Sequence, residues 1–369
     1  MVYPKLPKFS HFDPKGAEVS ETDWAEATAT CHALRVAEVF PETHDTKSIV
    51  LEIPDSLQST FEYTAGQFLS FKIPFKGMVI TRSYSLSSSP DTDSEHRVTV
   101  KRVDTGRVSN LLNDSLMEGD TLMTTPPSGF FTPTDADRDM VLFGGGSGIT
   151  PVLSIMKSVL KTSDRSLRLI YANRDERSII FKSDIESLAA RYPGRLEIVH
   201  RLDNREGFLD LDTVKQHAEK DADFFLCGPE PFMALVEEGL EAVGAPADQI
   251  HIERFVSPTD PDRREAGNDT SADPTPSEID SVTVVLDKVT HEVPYQDGEK
   301  LVDSLRRAGL EAPFSCEEGY CATCMAKLVS GEVRMDINDT LTPALLMEGW
   351  VLTCQARCIR GPVRIEYPS

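Results

Sequence analysis

The hydrophobic positions change texture along the chain. From about Ala33 to Thr134 the apolar stretches are short and strand-like, as in Ser48 to Ile53, Gln67 to Ile73 and Arg97 to Val100, and Pro and Gly punctuate them. The pattern predicts an all-β unit. From Asp139 a continuous apolar run, Met140-Val141-Leu142-Phe143, leads into a glycine loop, after which apolar residues recur at 152, 155, 156, 159 and 160. That is helical spacing, and Pro151 suits a first helical turn. Strand candidates at Leu167 to Tyr171, Leu196 to His200, Asp223 to Cys227 and Gln249 to Phe255 alternate with helical stretches, the pattern of a parallel α/β sheet.

Between Val256 and Asp280 lie 25 residues with four prolines, seven acidic and two basic residues and almost nothing apolar. No core can form there, so the segment reads as a linker. Beyond it Val282, Val284 and Leu286 alternate, Val289 to Tyr295 can supply a returning strand, and Leu301, Val302, Leu305 and Ala308 fit one helix ended by Gly309. Residues 1 to about 30 carry little pattern, save a capping-box spacing of Ser20 and Asp23 around a short helix at Trp24.

The 369 residues leave room for two or three domains. A formal charge of -22 repels phosphate backbones, so nucleic-acid binding is not expected. No apolar run reaches the roughly 18 residues of a membrane span, and the first twenty residues lack an apolar signal core, so the expected location is cytoplasmic. Seven cysteines are too few for a disulfide scaffold, yet four fall in one segment.

Cys316, Cys321 and Cys324 are spaced Cys-x4-Cys-x2-Cys, and Cys354 follows after 29 intervening residues, a plant-type [2Fe-2S] arrangement. Two sulfide-bridged irons need four terminal thiolates, three from a wrapping loop and the fourth from a distant strand. Gly319 allows the loop its tight turn. The bland alternative is a four-thiolate zinc site, but such sites favour paired Cys-x2-Cys units and only one is present. Cys358 reads as a bystander and Cys31 as a small buried side chain.

The loop Gly144-Gly145-Gly146-Ser147-Gly148-Ile149-Thr150 follows a buried strand and opens a helix, so its backbone can approach a pyrophosphate. Ile149 stands where the third glycine of the dinucleotide fingerprint belongs, which leaves an ordinary tight turn as the competing reading. Cys227-Gly228-Pro229 ends a later strand at the same expected sheet edge, and Gly and Pro there leave room for a flat ring. In the all-β unit Arg82 and Tyr84 share one face of a strand that continues into Ser85, which suits a flavin phosphate and ring. Gly106-Arg107-Val108-Ser109 before Leu111-Leu112 reads as a helix start, a second phosphate-binding terminus or a plain cap. No histidine pair supports a metal site or a hydrolase triad.

Taken in order, these motifs resemble the ferredoxin-NADP reductase-like flavoproteins that carry a C-terminal plant-type ferredoxin domain. Tyr171-Ala172-Asn173-Arg174-Asp175 and His251-Ile252-Glu253-Arg254-Phe255 are similar to the reductase components of 3-ketosteroid 9α-hydroxylase and of phenylacetyl-CoA oxygenase. The resemblance implies a multidomain fold: an antiparallel FAD-binding β-barrel at 31–135, a parallel-sheet NAD(P)-binding α/β domain at 136–255, an acidic Pro-rich linker at 256–278 and a β-grasp [2Fe-2S] ferredoxin domain at 279–369, after an N-terminal extension at 1–30 without assigned role.

It further implies that Tyr84 packs on the flavin ring, Arg82 meets its phosphates and Ser85 lies near its reactive nitrogen, with Gly106, Val108 and Ser109 at the FAD pyrophosphate. Gly145, Gly146 and Thr150 would meet the dinucleotide, and Cys227, Gly228 and Pro229 the nicotinamide, with Glu253 and Phe255 beside the flavin. Arg174 could pair a 2′-phosphate where Asp175 would repel one; the resemblance favours NADH over NADPH.

A nicotinamide delivers two electrons as hydride and a cluster takes one at a time, so a flavin is the natural converter. The resemblance implies a terminal oxygenase as partner, of Rieske type and acting on a steroid or aromatic substrate, on which a monomer docks transiently. The segment from Ile279 to Ser369, with 14 acidic and 9 basic residues, calls for a basic docking patch. The competing acceptors are a di-iron monooxygenase or another redox protein. The competing class is a zinc-stabilised interaction or redox-sensor protein without turnover.

Overall fold

A computed structural model describes residues 19–218, 221–255, 279–310, 312–314, 317, 319, 322–338, 340–341 and 343–368. The chain divides after Phe255 into two compact units. The linker expected at 256–278 and the first 18 residues of the expected extension lie outside the described residues.

The first unit contains two sheets. Six antiparallel strands, β1 (His32–Thr43), β2 (Thr46–Glu52), β3 (Phe68–Phe75), β4 (Met78–Ser85), β5 (His96–Lys101) and β6 (Thr121–Thr124), run in the order β4-β3-β6-β1-β2-β5. An isolated bridge from Leu86 to Val98 joins the end of β4 to β5, so the two edges of the sheet meet. Edge pairing of this kind removes the unsatisfied strand edges an open sheet would present. Alternate residues point inward: Leu34 and Val36, Leu69, Phe71 and Ile73, and Val98 and Val100 form the interior. Helix Arg107–Ser115 adds Val108, Leu111 and Leu112 to that interior. Part of the expected extension belongs here too. Helix Glu21–Ala27 buries Trp24, which packs with Val19 against Met123 of β6.

The second sheet is fully parallel: β7 (Asp139–Gly145), β8 (Leu167–Asn173), β9 (Leu196–Leu202), β10 (Ala222–Gly228) and β11 (Ile250–Arg254), in the order β11-β10-β7-β8-β9. The run Met140 to Phe143 is apolar throughout because both faces of β7 are covered. Met140 and Leu142 meet Val152 and Met156 of helix Ile149–Thr162 on one face. Val141 and Phe143 meet Val236 and Leu240 of helix Glu230–Ala242 on the other. The chain order reverses between β7 and β10, so their carboxyl ends open the crevice in which ligands of such sheets bind.

The second unit is a mixed sheet of β12 (Ser281–Leu286), β13 (Val289–Pro294), β14 (Met325–Met335), β15 (Trp350–Leu352) and β16 (Ala356–Glu366), ordered β13-β12-β16-β14-β15. The hairpin β12-β13 turns at Asp287 and Lys288, both at positive φ (51° and 64°), which matches the twist of its strands. Helix Leu301–Arg307 packs Leu301 and Leu305 on Val282, Val284 and Ile365. The parallel β12-β16 pair beside antiparallel neighbours, with a helix across the sheet, is the β-grasp arrangement expected for this segment. No helix among the described residues is long and apolar enough to cross a membrane.

Candidate functional site

The sheet order brings two sequence-distant motifs into contact. β7 ends in Gly145, a short 3-10 turn covers Gly146–Gly148, and the long helix starts at Ile149. β10 ends in Cys227-Gly228, with Pro229 capping helix Glu230–Ala242. A β-carbon on Gly148 would lie 2.0 Å from the carbonyl oxygen of Cys227, so the loop backbone rests directly on the end of β10. Gly146, with φ of 52°, takes the left-handed turn that reverses the chain. Thr150 Oγ1 donates to the Ser147 carbonyl at 3.0 Å and fixes the first helical turn.

At Gly145 and Gly228 the absent β-carbons leave room that a protein side chain already takes. The Phe232 ring comes within 3.1 Å of the Gly145 position and 2.6 Å of the Gly228 position. The space expected for a flat ring at Gly228 is thus shared with Phe232, a residue that sequence spacing did not mark. Tyr171 of β8 is fully buried and holds the loop. Its hydroxyl donates to the Gly146 carbonyl at 3.1 Å and accepts from Ile180 N at 3.2 Å.

Cys227 is in register with Gly144 on one side and Glu253 on the other. Burial, with the Glu253 carboxyl beside it, raises the Cys227 thiol well above its ordinary range, so it stays protonated. Burial alone pushes Glu253 from 4.5 up to about 8. Phe255, two residues on, is 42 % exposed.

The segment that follows β4 is joined to the helix after the glycine loop within the same unit. Ser154, on the helix after the glycine loop, donates from Oγ to the Ser88 carbonyl at 2.5 Å. Lys157 pairs with Asp93 at 2.9 Å, and Ser158 donates to Asp91. On β4, Arg82 Nη1 donates to its neighbour's carbonyl, Thr81 O, at 2.6 Å, and the Tyr84 ring lies 5.6 Å from Phe71. Burial pushes the Tyr84 hydroxyl above its ordinary value. Ser85 is 2 % exposed, and its Oγ is buried without a hydrogen-bond partner. A buried hydroxyl left unpaired is costly, and a bound polar ring edge at that position would satisfy it. Gly106 precedes helix Arg107–Ser115 without any side-chain cap, and a β-carbon there would lie 2.5 Å from Ser109 Oγ. Val108 and Ser109 are buried, and Ser109 Oγ accepts from Val103 N at 3.2 Å. The uncapped helix end and the orphaned hydroxyl both fit a phosphate-bearing flavin.

Arg174 and Asp175, at the carboxyl end of β8, are both engaged. Arg174 Nη2 pairs with Asp45 at 2.8 Å, and the Asp175 carboxylate accepts from Ser178 N at 3.0 Å as the N-cap of a short turn.

In the second unit Cys324 and Cys354 are both buried, packed among Val302, Leu341 and Leu352. Thr353 ties them: its N–H and Oγ1 both donate to the Cys324 carbonyl, at 3.1 and 3.0 Å. Gln355 Nε2 lies 3.6 Å from Cys354 Sγ and donates to the Glu317 carbonyl at 2.8 Å. Gly319 has φ of 86°, as a tight ligand loop requires. Cys316 and Cys321, the other two expected ligands, lie outside the described residues. Among the described residues no group of three or more His, Cys, Asp or Glu is placed to hold a metal ion. The apolar surroundings of Cys324 and Cys354 and the amide beside Cys354 Sγ fit a thiolate-held cluster, whose potential such donors raise. Cys358 lies in the core on β16 with its thiol pushed by burial up to about 12. Cys31 is only half-buried, its thiol pushed up to about 11.

Comparison with known proteins agrees with this division. Residues 33–132 match the oxidoreductase FAD-binding domain family, 142–238 the oxidoreductase NAD-binding domain and 284–358 the 2Fe-2S iron-sulfur cluster binding domain. The chain is 41% identical over 321 residues to the 3-ketosteroid-9-alpha-monooxygenase ferredoxin reductase component of Rhodococcus rhodochrous, covering 84% of this chain and 89% of that protein. It is 43% identical to the protein of the same description from Mycolicibacterium smegmatis, covering 84% and 90%. The crystal structure of phthalate dioxygenase reductase, described as a modular structure for electron transfer from pyridine nucleotides to [2Fe-2S], shares the fold with a TM-score of 0.57 at 24% identity, over 92% of this chain and 98% of that one. The chain therefore belongs to the family of NAD(P)H-dependent flavin and iron-sulfur oxidoreductases that includes the reductase components of 3-ketosteroid-9-alpha-monooxygenase.

Proposed function

We propose that this protein is the reductase of a steroid-hydroxylating, Rieske-type oxygenase system, taking electrons from NADH. The identity to ketosteroid reductases over most of both chains supports the substrate class. The observation that carries the chemistry is the packing of Gly148 on Cys227, which brings the glycine loop and the Cys227-Gly228-Pro229 turn together at the switch point of the parallel sheet, with Ser154 bonded to Ser88 in the segment after β4.

When bound, FAD exchanges two electrons with a nicotinamide and one at a time with an iron-sulfur cluster, which is the conversion this chain must host. The residues then divide the work. Arg82 and the uncapped helix end at Gly106, Val108 and Ser109 hold the flavin phosphates, and Tyr84 covers the ring. Ser85 Oγ gains its missing partner at the ring edge. Gly145, Gly146 and Thr150 present backbone and hydroxyl to the dinucleotide, while Cys227, Gly228 and Pro229 set the depth of the nicotinamide. Burial raises the Glu253 carboxyl above its ordinary range, so it keeps its proton to higher pH than an ordinary glutamate and can serve as a proton donor. Phe255, exposed at the end of β11, covers the site until a nicotinamide replaces it. Cys316, Cys321, Cys324 and Cys354 hold the cluster.

Arg174 is paired with Asp45 and the Asp175 carboxylate caps a turn, which supports NADH over NADPH. The acidic excess of residues 279–369 supports transient docking of a monomer on a basic oxygenase surface. Reconstitution with candidate terminal oxygenases tests the reading. NADH-driven hydroxylation of a 3-ketosteroid with a Rieske oxygenase is expected; coupling only to a di-iron oxygenase would refute the partner.

A further inference from the structure

The carboxyl end of β8 lies beside the glycine-loop strand, at the place where a doubly wound sheet meets the ribose 2′ position of a bound dinucleotide. The cation standing there, Arg174, is held by a residue of the other sheet. Asp45 sits in the tight turn between β1 and β2, and its Oδ2 is 2.8 Å from Arg174 Nη2. The two partners differ in freedom. The Arg174 side chain is 64% exposed, that of Asp45 only 15%.

Asp45 is also fixed from its own side. Lys101 Nζ lies 2.8 and 2.9 Å from its two carboxylate oxygens, and the Thr43 and Thr46 hydroxyls donate to Oδ1 at 2.8 and 3.1 Å. Burial alone would raise its pKa, but these hydrogen bonds outweigh burial and hold the carboxyl at about 2. The aspartate is therefore a permanent anion that cannot withdraw, whereas the guanidinium can turn. A phosphate dianion seeking Arg174 must displace it from Asp45 and then rest beside that anion. Arg205 and Lys182 are engaged with Glu176, and Arg201 with Asp210, while Arg177 is exposed on the short turn Glu176–Ser178.

We infer that Asp45, a residue of the flavin-binding sheet, is a specificity-determining residue for the nicotinamide coenzyme: by retaining Arg174 it denies the 2′-phosphate of NADPH its cation. The inference rests on the reading that the glycine loop takes a dinucleotide. It makes coenzyme choice a property of the contact between two sheets rather than of the nucleotide fold alone. Asp45→Asn keeps the shape and an oxygen for Thr43 and Thr46 but removes the charge, so Arg174 becomes available.

The test is calorimetric titration of the full-length holoprotein with 2′,5′-ADP and with 5′-ADP. Asp45→Asn is expected to tighten 2′,5′-ADP about tenfold, as one charge-assisted phosphate contact would, and to leave 5′-ADP within about twofold. In Asp45→Asn/Arg174→Ala the gain should vanish; its persistence would assign the effect to Lys101 or Arg177 and overturn the role given to Arg174. Unchanged 2′,5′-ADP binding in folded Asp45→Asn, with 5′-ADP still bound, overturns the inference and leaves the dinucleotide reading intact. Failure of every form to bind 5′-ADP refutes the dinucleotide reading itself. Should Asp45→Asn not fold, Arg174→Ala decides at an exposed position. A change below about threefold in 2′,5′-ADP affinity agrees with an arginine already withheld, and a loss of about tenfold contradicts it.

Discussion

The two halves of the proposed hydride site are built from different materials. On the nicotinamide side the backbone makes the shape: Gly148 rests on the Cys227 carbonyl, Phe232 fills the room at Gly145 and Gly228, and Tyr171 holds Gly146. On the flavin side the side chains of one strand make the chemistry, and one of them, Ser85 Oγ, is left buried and unpaired. The first half is shaped by backbone packed on backbone; the second carries a buried hydroxyl that a ligand would satisfy. A backbone-built site should tolerate no added volume, whereas a side-chain-built site should lose affinity one contact at a time.

The largest effect expected from this contrast is at Gly148. Gly148→Ala places a carbon 2.0 Å from a backbone oxygen that cannot move without shifting β10. We expect a destabilisation of about 2–4 kcal/mol, in the range of overpacked cores and broken backbone geometry, and loss of nicotinamide binding. Thermal unfolding and NADH titration check both; a variant of wild-type stability would show the loop to be looser than described. Next is Arg82→Ala, which removes the cation assigned to the flavin phosphates. Retained folding is expected, with FAD affinity weakened by roughly 10- to 100-fold, the range of hydrogen bonds to charged groups. Equilibrium dialysis of the flavin reads this out, and unchanged affinity would remove Arg82 from the site.

Glu253 supplies a pH dependence spread over several pH units. Its folded pKa of about 8 stands above the ordinary 4.5, so between these values the folded chain binds the extra proton and the unfolded chain does not. Stability contributed by this group is thus fully present below about 4.5 and is lost as pH rises through about 8. Glu253→Gln should flatten the decline in Tm over that window, and identical profiles would show the carboxyl to be solvated. The smallest effect is at Tyr171. Tyr171→Phe removes its bonds to Gly146 and Ile180, a cost of about 1–2 kcal/mol, with KM for NADH rising more than kcat falls.

How much of this was legible beforehand follows the same division. Periodicity exposed the strands whose faces are both buried, such as Met140 to Phe143, and the alternating Val282, Val284 and Leu286, because burial imposes those patterns directly. The glycine loop and the Cys227-Gly228-Pro229 turn were visible as motifs, but their contact depends on β10 pairing with β7 across 82 residues of sequence order, which no local pattern encodes. Phe232 looked like any apolar residue of an amphipathic helix. Asp45 looked like an ordinary turn aspartate, since its partners Lys101 and Arg174 come from distant segments. The twelve-residue β1 was also obscured, its polar positions and Pro41 interrupting the alternation that its central residues keep. Cysteine spacing, by contrast, needs no tertiary knowledge to be read, which is why Cys324 and Cys354 could be named and then found together in one buried cluster.

The most direct test of the account is an anaerobic reductive titration of the purified protein followed by absorbance and low-temperature electron paramagnetic resonance. The account predicts uptake of about three electron equivalents per chain, two on a flavin and one on a [2Fe-2S] cluster, with NADH alone able to produce the reduced-cluster signal. Uptake of about two equivalents with no cluster signal, in protein retaining its iron and sulfide, would contradict it.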